Sequence, residues 1–393
     1  MQISLFRIFL IFLKTGAIAF GGNIALVAAV RKELCEKRKI LSDDYLLDIT
    51  TVGNVLPGPL ASNVVTACGF AMRGMTGAIV ALTGILLPAF ILVCGLSELY
   101  FRYGQNPIMG SVFSGLLPGV AAVIAYTAWV LARKSVKNVL QLIILVVAGA
   151  LVLLLKGALV TLGIVVVSGL LGYFFLKRSD LKPLEPTHVS KRSYWPIIMT
   201  GVMFAVGFAV LFYHPVSLLL QELRMLSLTF SSMSVTLFGG GYVFIPAIEK
   251  VVVGMHGWVT SKEFADGIAM GQITPGPIAI TAAFVGYKVS GIWGALVSTI
   301  SIFVPPAMLM LIAQQFLGWI KRKPVVEFIF RGIRPAVIGM IIVSVWVIGK
   351  NAPHDWQSIF IFASMFGFCL WKNPDTAVVV TISGVLGFLL HLI

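Results

Sequence analysis

Residues 53–63 read Gly-Asn-Val-Leu-Pro-Gly-Pro-Leu-Ala-Ser-Asn, and residues 271–281 read Gly-Gln-Ile-Thr-Pro-Gly-Pro-Ile-Ala-Ile-Thr. Both stretches lie inside apolar segments. Proline removes a backbone donor and glycine weakens a helix, so Pro57-Gly58-Pro59 and Pro275-Gly276-Pro277 each break a span into two pieces. Bare backbone groups cannot face lipid, so such a break is tolerated only where protein or water lines it. Upstream, Phe20-Gly21-Gly22 recurs as Phe238-Gly239-Gly240. The offset is 238 − 20 = 218 for this motif and 275 − 57 = 218 for the other, so the two motifs keep their spacing in both copies. Asp48 falls on Asp266 and Gly53 on Gly271 in the same register.

After one deletion the offset becomes 217. Gly69 then pairs with Gly286, Gly74 with Gly291, Pro88 with Pro305, Gly115 with Gly332, Pro118 with Pro335 and Trp129 with Trp346. A collinear series of this kind is an internal duplication.

Composition sets the surroundings. The chain is 59% hydrophobic and 11% charged, where a soluble domain carries about a quarter charged residues. Such a surface suits lipid. Lys and Arg outnumber Asp and Glu by 29 to 15, in short blocks such as Lys37-Arg38-Lys39, Arg133-Lys134 and Lys321-Arg322-Lys323. Blocks between apolar segments are the pattern of cytoplasmic loops, which argues against nucleic acid as the partner. The four Cys and five His are scattered, suggesting neither disulfide framework nor metal site. Leu5–Leu13 followed by Ala17-Ile18-Ala19 imitates a signal peptide, but no basic residue precedes Arg7 and the segment after it recurs inside the chain. It reads as a retained first helix.

The expected fold is therefore an all-α polytopic membrane protein of two homologous repeats, residues 1–176 and 214–393, with a connector and linking helix at 177–213. Each copy holds about six candidate spans; in the first these begin with 4–30 and 46–71, and in the second with 222–248 and 264–289. Trp195–Tyr213 is uncharged and long enough for one more crossing, giving about thirteen. An even number of spans per copy plus one linker turns the second copy upside down, the inverted-topology plan of many secondary transporters. The distribution of basic residues puts the N-terminus in the cytoplasm. One loop dissents: Arg31–Lys39 carries five basic residues and falls on the outer side, unless the first segment re-enters instead of crossing.

The helix pieces starting near Leu60 and Ile278 would each present free N–H groups and partial positive charge, a ready site for an anion. Asn54 and Gln272 occupy equivalent positions just before the breaks, and Asn63 and Thr281 just after them. Gly21-Gly22 and Gly239-Gly240 either line the ligand or let helices pack closely. Lys14 and Arg334 are charges inside predicted spans, with Ser232 and Leu117 at the matching places; they serve the anion pathway or snorkel to an interface. Asp48 and Asp266, near predicted span ends, read as caps in preference to a proton relay. No phosphate-binding loop, His-Glu-x-x-His or Gly-x-Ser-x-Gly motif is present in the sequence, so hydrolysis has no evident machinery.

Leu13-Lys14-Thr15-Gly16 leading to Phe20-Gly21-Gly22, then Leu56-Pro57-Gly58-Pro59, resembles the chromate ion transporter family. So does Phe238-Gly239-Gly240-Gly241-Tyr242 followed by Gly271-Gln272-Ile273-Thr274-Pro275-Gly276-Pro277. The resemblance covers both halves, as in the long two-domain members. It implies export of chromate from the cytoplasm across the inner (plasma) membrane, chromate resistance, sulfate as a competing or alternative anion, and no cofactor. Its partners would be chromate and membrane lipid, with a homodimer as the candidate assembly. Asn23 stands where a Pro is more usual and Asn54 where the family tends to Gln, departures that bear on substrate identity. An enzyme acting on lipid phosphates is the competing class.

Overall fold

A computed structural model describes residues 3–19, 22–103, 107–155, 158–176, 195–212, 217–236, 241–316, 324–372 and 374–391. Among these residues every regular element is a helix. They are α1 (Leu5–Ile18), α2 (Gly22–Arg31), α3 (Asp43–Val55), α4 (Leu60–Tyr103), α5 (Pro107–Ser135), α6 (Val139–Leu154), α7 (Ala158–Phe175), the linking helix α8 (Trp195–Phe212), α9 (Leu218–Thr236), α10 (Phe244–Glu249), α11 (Ser261–Ile273), α12 (Thr281–Ala313), α13 (Pro324–Gly349), α14 (Trp356–Lys372) and α15 (Thr376–His391). The connector Lys177–Tyr194 lies outside the described residues.

Local geometry recurs at the sequence offsets. π-helical turns cover Lys32–Lys37 and Lys250–Met255. The long helices α4 and α12 both bend sharply, at Arg73–Gly74 and at Ser290–Gly291, where Gly74 has φ 62° and Gly291 φ 58°. Among the described residues four helices are long and apolar enough to cross a membrane unaided: Leu60–Tyr103, Gly110–Ser135, Ile278–Ala313 and Phe328–Gly349. Val139–Leu154, Val160–Phe175 and Thr376–Leu390 are shorter apolar helices.

The chain forms two compact units, and each draws on both halves of the sequence. Unit one comprises Met1–Cys94, Arg178–Gly241 and Pro275–Glu327; unit two comprises Gly95–Lys177, Tyr242–Thr274 and Phe328–Ile393.

Within unit one, the segment 46–71 does not cross as two pieces in line. The Tyr45 hydroxyl lies 3.5 Å from the Ala67 carbonyl oxygen, and a Cβ on Gly53 would lie 2.8 Å from Leu60. Residues so far apart in sequence meet only if α3 and the first arm of α4 fold back as a hairpin with its apex at Pro57–Pro59. Each limb has about thirteen residues, so it reaches about 20 Å, short of the roughly 30 Å hydrocarbon core. The first segment also turns back. Arg73 Nη1 donates to the Ile3 carbonyl at 3.2 Å, a few residues beyond Ala67, and Arg31 Nε pairs with Asp43 Oδ1 at 2.7 Å, beside Tyr45. Ile3 and Arg31 therefore lie at the same end of unit one, so α1 and α2 double back instead of running on in one direction.

Side-by-side packing fixes further directions. α1 runs parallel to the second arm of α4, from Ile3 beside Arg73 to Gly16 against the Ile85 carbonyl. α9 runs parallel to the second arm of α12: Ser290 donates to Glu222 at 2.6 Å and Ser301 meets Ser227 at 3.3 Å. In unit two, Gly115 faces Gly387 and Gly119 faces Ser383, so α5 and α15 are antiparallel. Gly172 faces Phe328 and Ser168 faces Gly332, so α7 and α13 are antiparallel as well. Gln141 Nε2 donates to the Arg331 carbonyl at 3.2 Å and Gly149 faces Gly339, which sets α6 parallel to α13.

Candidate functional site

The first turn is built by its own residues. Pro57 and Pro59 fix φ on either side of Gly58, whose φ of 91° is the left-handed region that glycine enters at little cost. Asn63 clamps the turn: its Nδ2 donates to the Pro57 carbonyl at 3.1 Å, and its backbone N–H donates to the Pro59 carbonyl at 3.2 Å. Ser62 adds a bond to the Pro59 carbonyl at 2.8 Å. Asn63 is fully buried, and its Oδ1 has no hydrogen-bond partner. The helix then starts at Leu60, as the sequence predicts.

The second turn has the same backbone with different supports. Gly276 has φ 121°, and its N–H donates to the carbonyl of Ala19, at the end of α1, at 3.1 Å. A 3-10 turn begins at Ile278 with no side-chain cap, and the Thr281 hydroxyl donates to the Ile278 carbonyl at 2.8 Å. Both Pro-Gly-Pro triplets are buried.

Each turn docks on the long helix of the other copy. A Cβ on Gly58 would collide with the Pro306 ring of α12, close to the Ser234 carbonyl at the end of α9. A Cβ on Gly276 would lie 3.1 Å from the Ala89 side chain of α4, beside the end of α1. Ala89 and Pro306 are equivalent, since 306 − 89 = 217. The two helix breaks, the starts of the helices that follow them, and the ends of α1 and α9 are thus assembled in unit one. Backbone N–H groups at helix starts, with the positive end of the helix dipole, can receive an anion there.

The remaining candidates are distributed as follows. Gly22 opens α2, while Phe20, Gly21, Phe238, Gly239 and Gly240 lie outside the described residues. Asn54 sits in the last turn of α3, and its side chain lies outside the described ones. Lys14 is exposed on α1 and acts electrostatically on Glu33, whose carboxyl is held below its usual range chiefly by a hydrogen bond from Arg38. That placement fits an interfacial lysine better than a site lysine. Gln272 and Arg334 belong to unit two. Gln272 is 3% exposed and interacts with Tyr242, with its Nε2 making no well-formed hydrogen bond; Arg334 is exposed on α13.

Neither paired aspartate is a cap. Ser42 caps α3, and Thr260 with Glu263 forms a capping box on α11. Asp48 is half-buried, whereas Asp266 is 1% exposed and accepts a hydrogen bond from the Tyr100 hydroxyl at 2.7 Å. Tyr100 carried no signal in the sequence, since it has no motif and no twin. The docking role of Ala89 and Pro306 was hinted at only by the paired prolines Pro88 and Pro305.

The model of a family described as chromate transporter matches residues 6–173 and 224–388. A probable chromate transport protein of Synechococcus elongatus is 30% identical over 379 residues, covering 96% of this chain and 93% of its own. A chromate transport protein of Pseudomonas aeruginosa is 29% identical over 397 residues, 98% of this chain and 92% of its own. An uncharacterised transporter of Methanocaldococcus jannaschii is 29% identical over 394 residues, 98% of this chain and 94% of its own. No solved structure matches the chain.

Proposed function

The chain belongs to the chromate transporter family, and from that premise we propose that it is a secondary carrier exporting chromate from the cytoplasm, so conferring chromate resistance. The observation that carries this reading is the reciprocal docking of the two Pro-Gly-Pro turns in unit one. It concentrates helix starts and uncapped backbone at a buried place, where a tetrahedral oxyanion can exchange water for N–H donors. The binding set is Pro57, Gly58, Pro59, Asn63, Pro275, Gly276, Pro277 and Thr281. Gln272 and Arg334 belong to the other unit and stand outside this set. A carrier of this kind needs no catalytic group.

An inverted repeat supports alternating access. α5 and α13 are equivalent by the 217 offset, and short links make α13, α14 and α15 alternate in direction. Since α5 opposes α15, it opposes α13 also. The two re-entrant hairpins replace two crossings in the first copy, which keeps the number of crossings even and the inversion argument intact. They also return Arg31, Lys32, Lys37, Arg38 and Lys39 to the N-terminal side, so the loop that dissented now agrees with a cytoplasmic N-terminus.

An inside-negative potential is worth about 2.3 kcal/mol per charge per 100 mV, so a leaving dianion gains about 4.6 kcal/mol. That suffices for over three powers of ten in concentration ratio. The discriminating experiment is uptake of labelled chromate by proteoliposomes with and without excess sulfate. Uptake that ignores sulfate marks a chromate carrier; inhibition by sulfate broadens the substrate to tetrahedral dianions; absence of uptake from folded protein overturns the reading.

A further inference from the structure

We propose that Asp266 is a proton-binding site that couples anion export to proton entry, an inference that rests on the carrier reading above. Asp266 is 1% exposed, and its Oδ1 has no hydrogen-bond partner, while Oδ2 accepts the single bond from Tyr100. A carboxylate in such a place is neither a surface solubiliser nor half of an ion pair. Burying a charge without a counter-charge is expensive, and ionisable residues inside membrane proteins are therefore functional until shown otherwise. The unpartnered Oδ1 is where a proton is taken up.

The surroundings isolate this carboxyl. α11 packs on α5 and α15, and Tyr100 reaches it from the end of α4. The Tyr100 ring is held edge-on against Phe113 of α5, with centroids 5.4 Å apart. The ionisable groups acting on Asp266 are Tyr100 and, on its own helix, Lys262 and Glu263; among the described residues, none from α5 or α15 does so. Lys262 is exposed, so the water-facing end of α11 is one turn away. In the other direction, α11 leads straight into the second turn: Asp266 lies 275 − 266 = 9 residues before Pro275. The carboxyl thus sits on the helix that carries one of the two binding turns, and its protonation changes the charge buried in that limb.

Exchange of one proton inward for one dianion outward moves three charges in the favourable sense, so the exchange is electrogenic and is driven by both the potential and the pH gradient. The test uses the purified full chain in proteoliposomes, with membrane potential clamped at zero and the interior acid. In the wild type, each unit of pH gradient drives about a tenfold chromate accumulation for one exchanged proton, with matching alkalinisation of the interior read by a trapped dye. Asp266→Asn loses both signals and retains uptake driven by an interior-positive potential, within about threefold. Tyr100→Phe keeps the coupling and displaces the pH profile of transport, which a merely structural tyrosine would not do. Potential-driven uptake by wild type without any response to the pH gradient overturns the coupling and leaves the carrier reading standing. Asp266→Asn that remains coupled overturns it too, as does an undisplaced profile in Tyr100→Phe should Asp266→Asn prove inactive. Absence of all chromate uptake by folded wild type removes the carrier reading, and the coupling with it.

Discussion

The turns at Pro57-Gly58-Pro59 and Pro275-Gly276-Pro277 share a backbone and differ in what holds it. Gly58 and Gly276 both sit at positive φ, 91° and 121°, and each meets the equivalent position of the other copy's long helix. The first turn is wedged against the Pro306 ring and clamped by Asn63. The second lies against the smaller Ala89, lends its N–H to Ala19, and has in place of the clamp a threonine bonded within its own helix. The limb before the first turn bears the half-buried Asp48; the limb before the second bears the buried Asp266. Duplication has preserved what the backbone does, and the side chains around it have separated into different tasks. On the proposed reading, an anion held by N–H groups needs only the shared backbone, and selectivity and coupling fall to the part that diverged.

Substitutions at the paired positions can break that comparison. The largest effect is expected from Gly58→Leu and Gly276→Leu, both of which abolish chromate uptake; full activity in both would remove the turns from the site. Smaller changes separate the copies. Gly58→Ala meets a rigid ring as well as an unfavourable φ and destabilises by about 3 kcal/mol or more, while Gly276→Ala costs about 1–2 kcal/mol. Thermal unfolding in detergent reads the difference, and equal shifts would contradict unequal packing.

Next in size is the clamp. Asn63→Leu strips the Pro57 carbonyl of its donor and costs about 1–3 kcal/mol, with transport lowered about tenfold or more. Thr281→Val removes a bond that its own helix can spare, costs about 1 kcal/mol or less, and changes transport less than about threefold. Reversal of that order would show that the second copy carries the essential support. A sharper structural test is sidedness: Ser4→Cys and Lys37→Cys are expected to react with an impermeant thiol reagent from the same face, the native cysteines being buried. Labelling from opposite faces would restore a crossing first segment. The smallest effect belongs to Arg31→Gln, which loses an exposed pair with Asp43 and leaves uptake within about twofold.

Much of this architecture was legible in the sequence, because helix breakers act locally. Two prolines around a glycine must interrupt a helix wherever they stand, and the helix starting at Leu60 appears where that chemistry puts it. What the chain does after the interruption is decided by distant contacts. Tyr45 meeting Ala67 turns a broken span into a hairpin, and nothing in the stretch 46–71 distinguishes the two outcomes. The charge pattern carries the same signal, since Arg31–Lys39 falls on the outer side only if 4–30 crosses. The sequence marks Asp266 as a paired acid, but its burial comes from α5, α15 and Tyr100, all remote in sequence. Lys14 illustrates the converse: a charge in an apolar segment invites a site role, and its exposed place on α1 fits a plainer one.

The most direct test of the central claim is electrogenic uptake of labelled chromate by proteoliposomes holding the wild type, Gly58→Leu or Gly276→Leu, each shown by size exclusion to be folded. An interior-positive potential is expected to drive accumulation in the wild type and in neither variant. Accumulation that persists in both variants, or a wild type that moves no chromate under potential, would contradict the account of an oxyanion carrier built on two exchanged Pro-Gly-Pro turns.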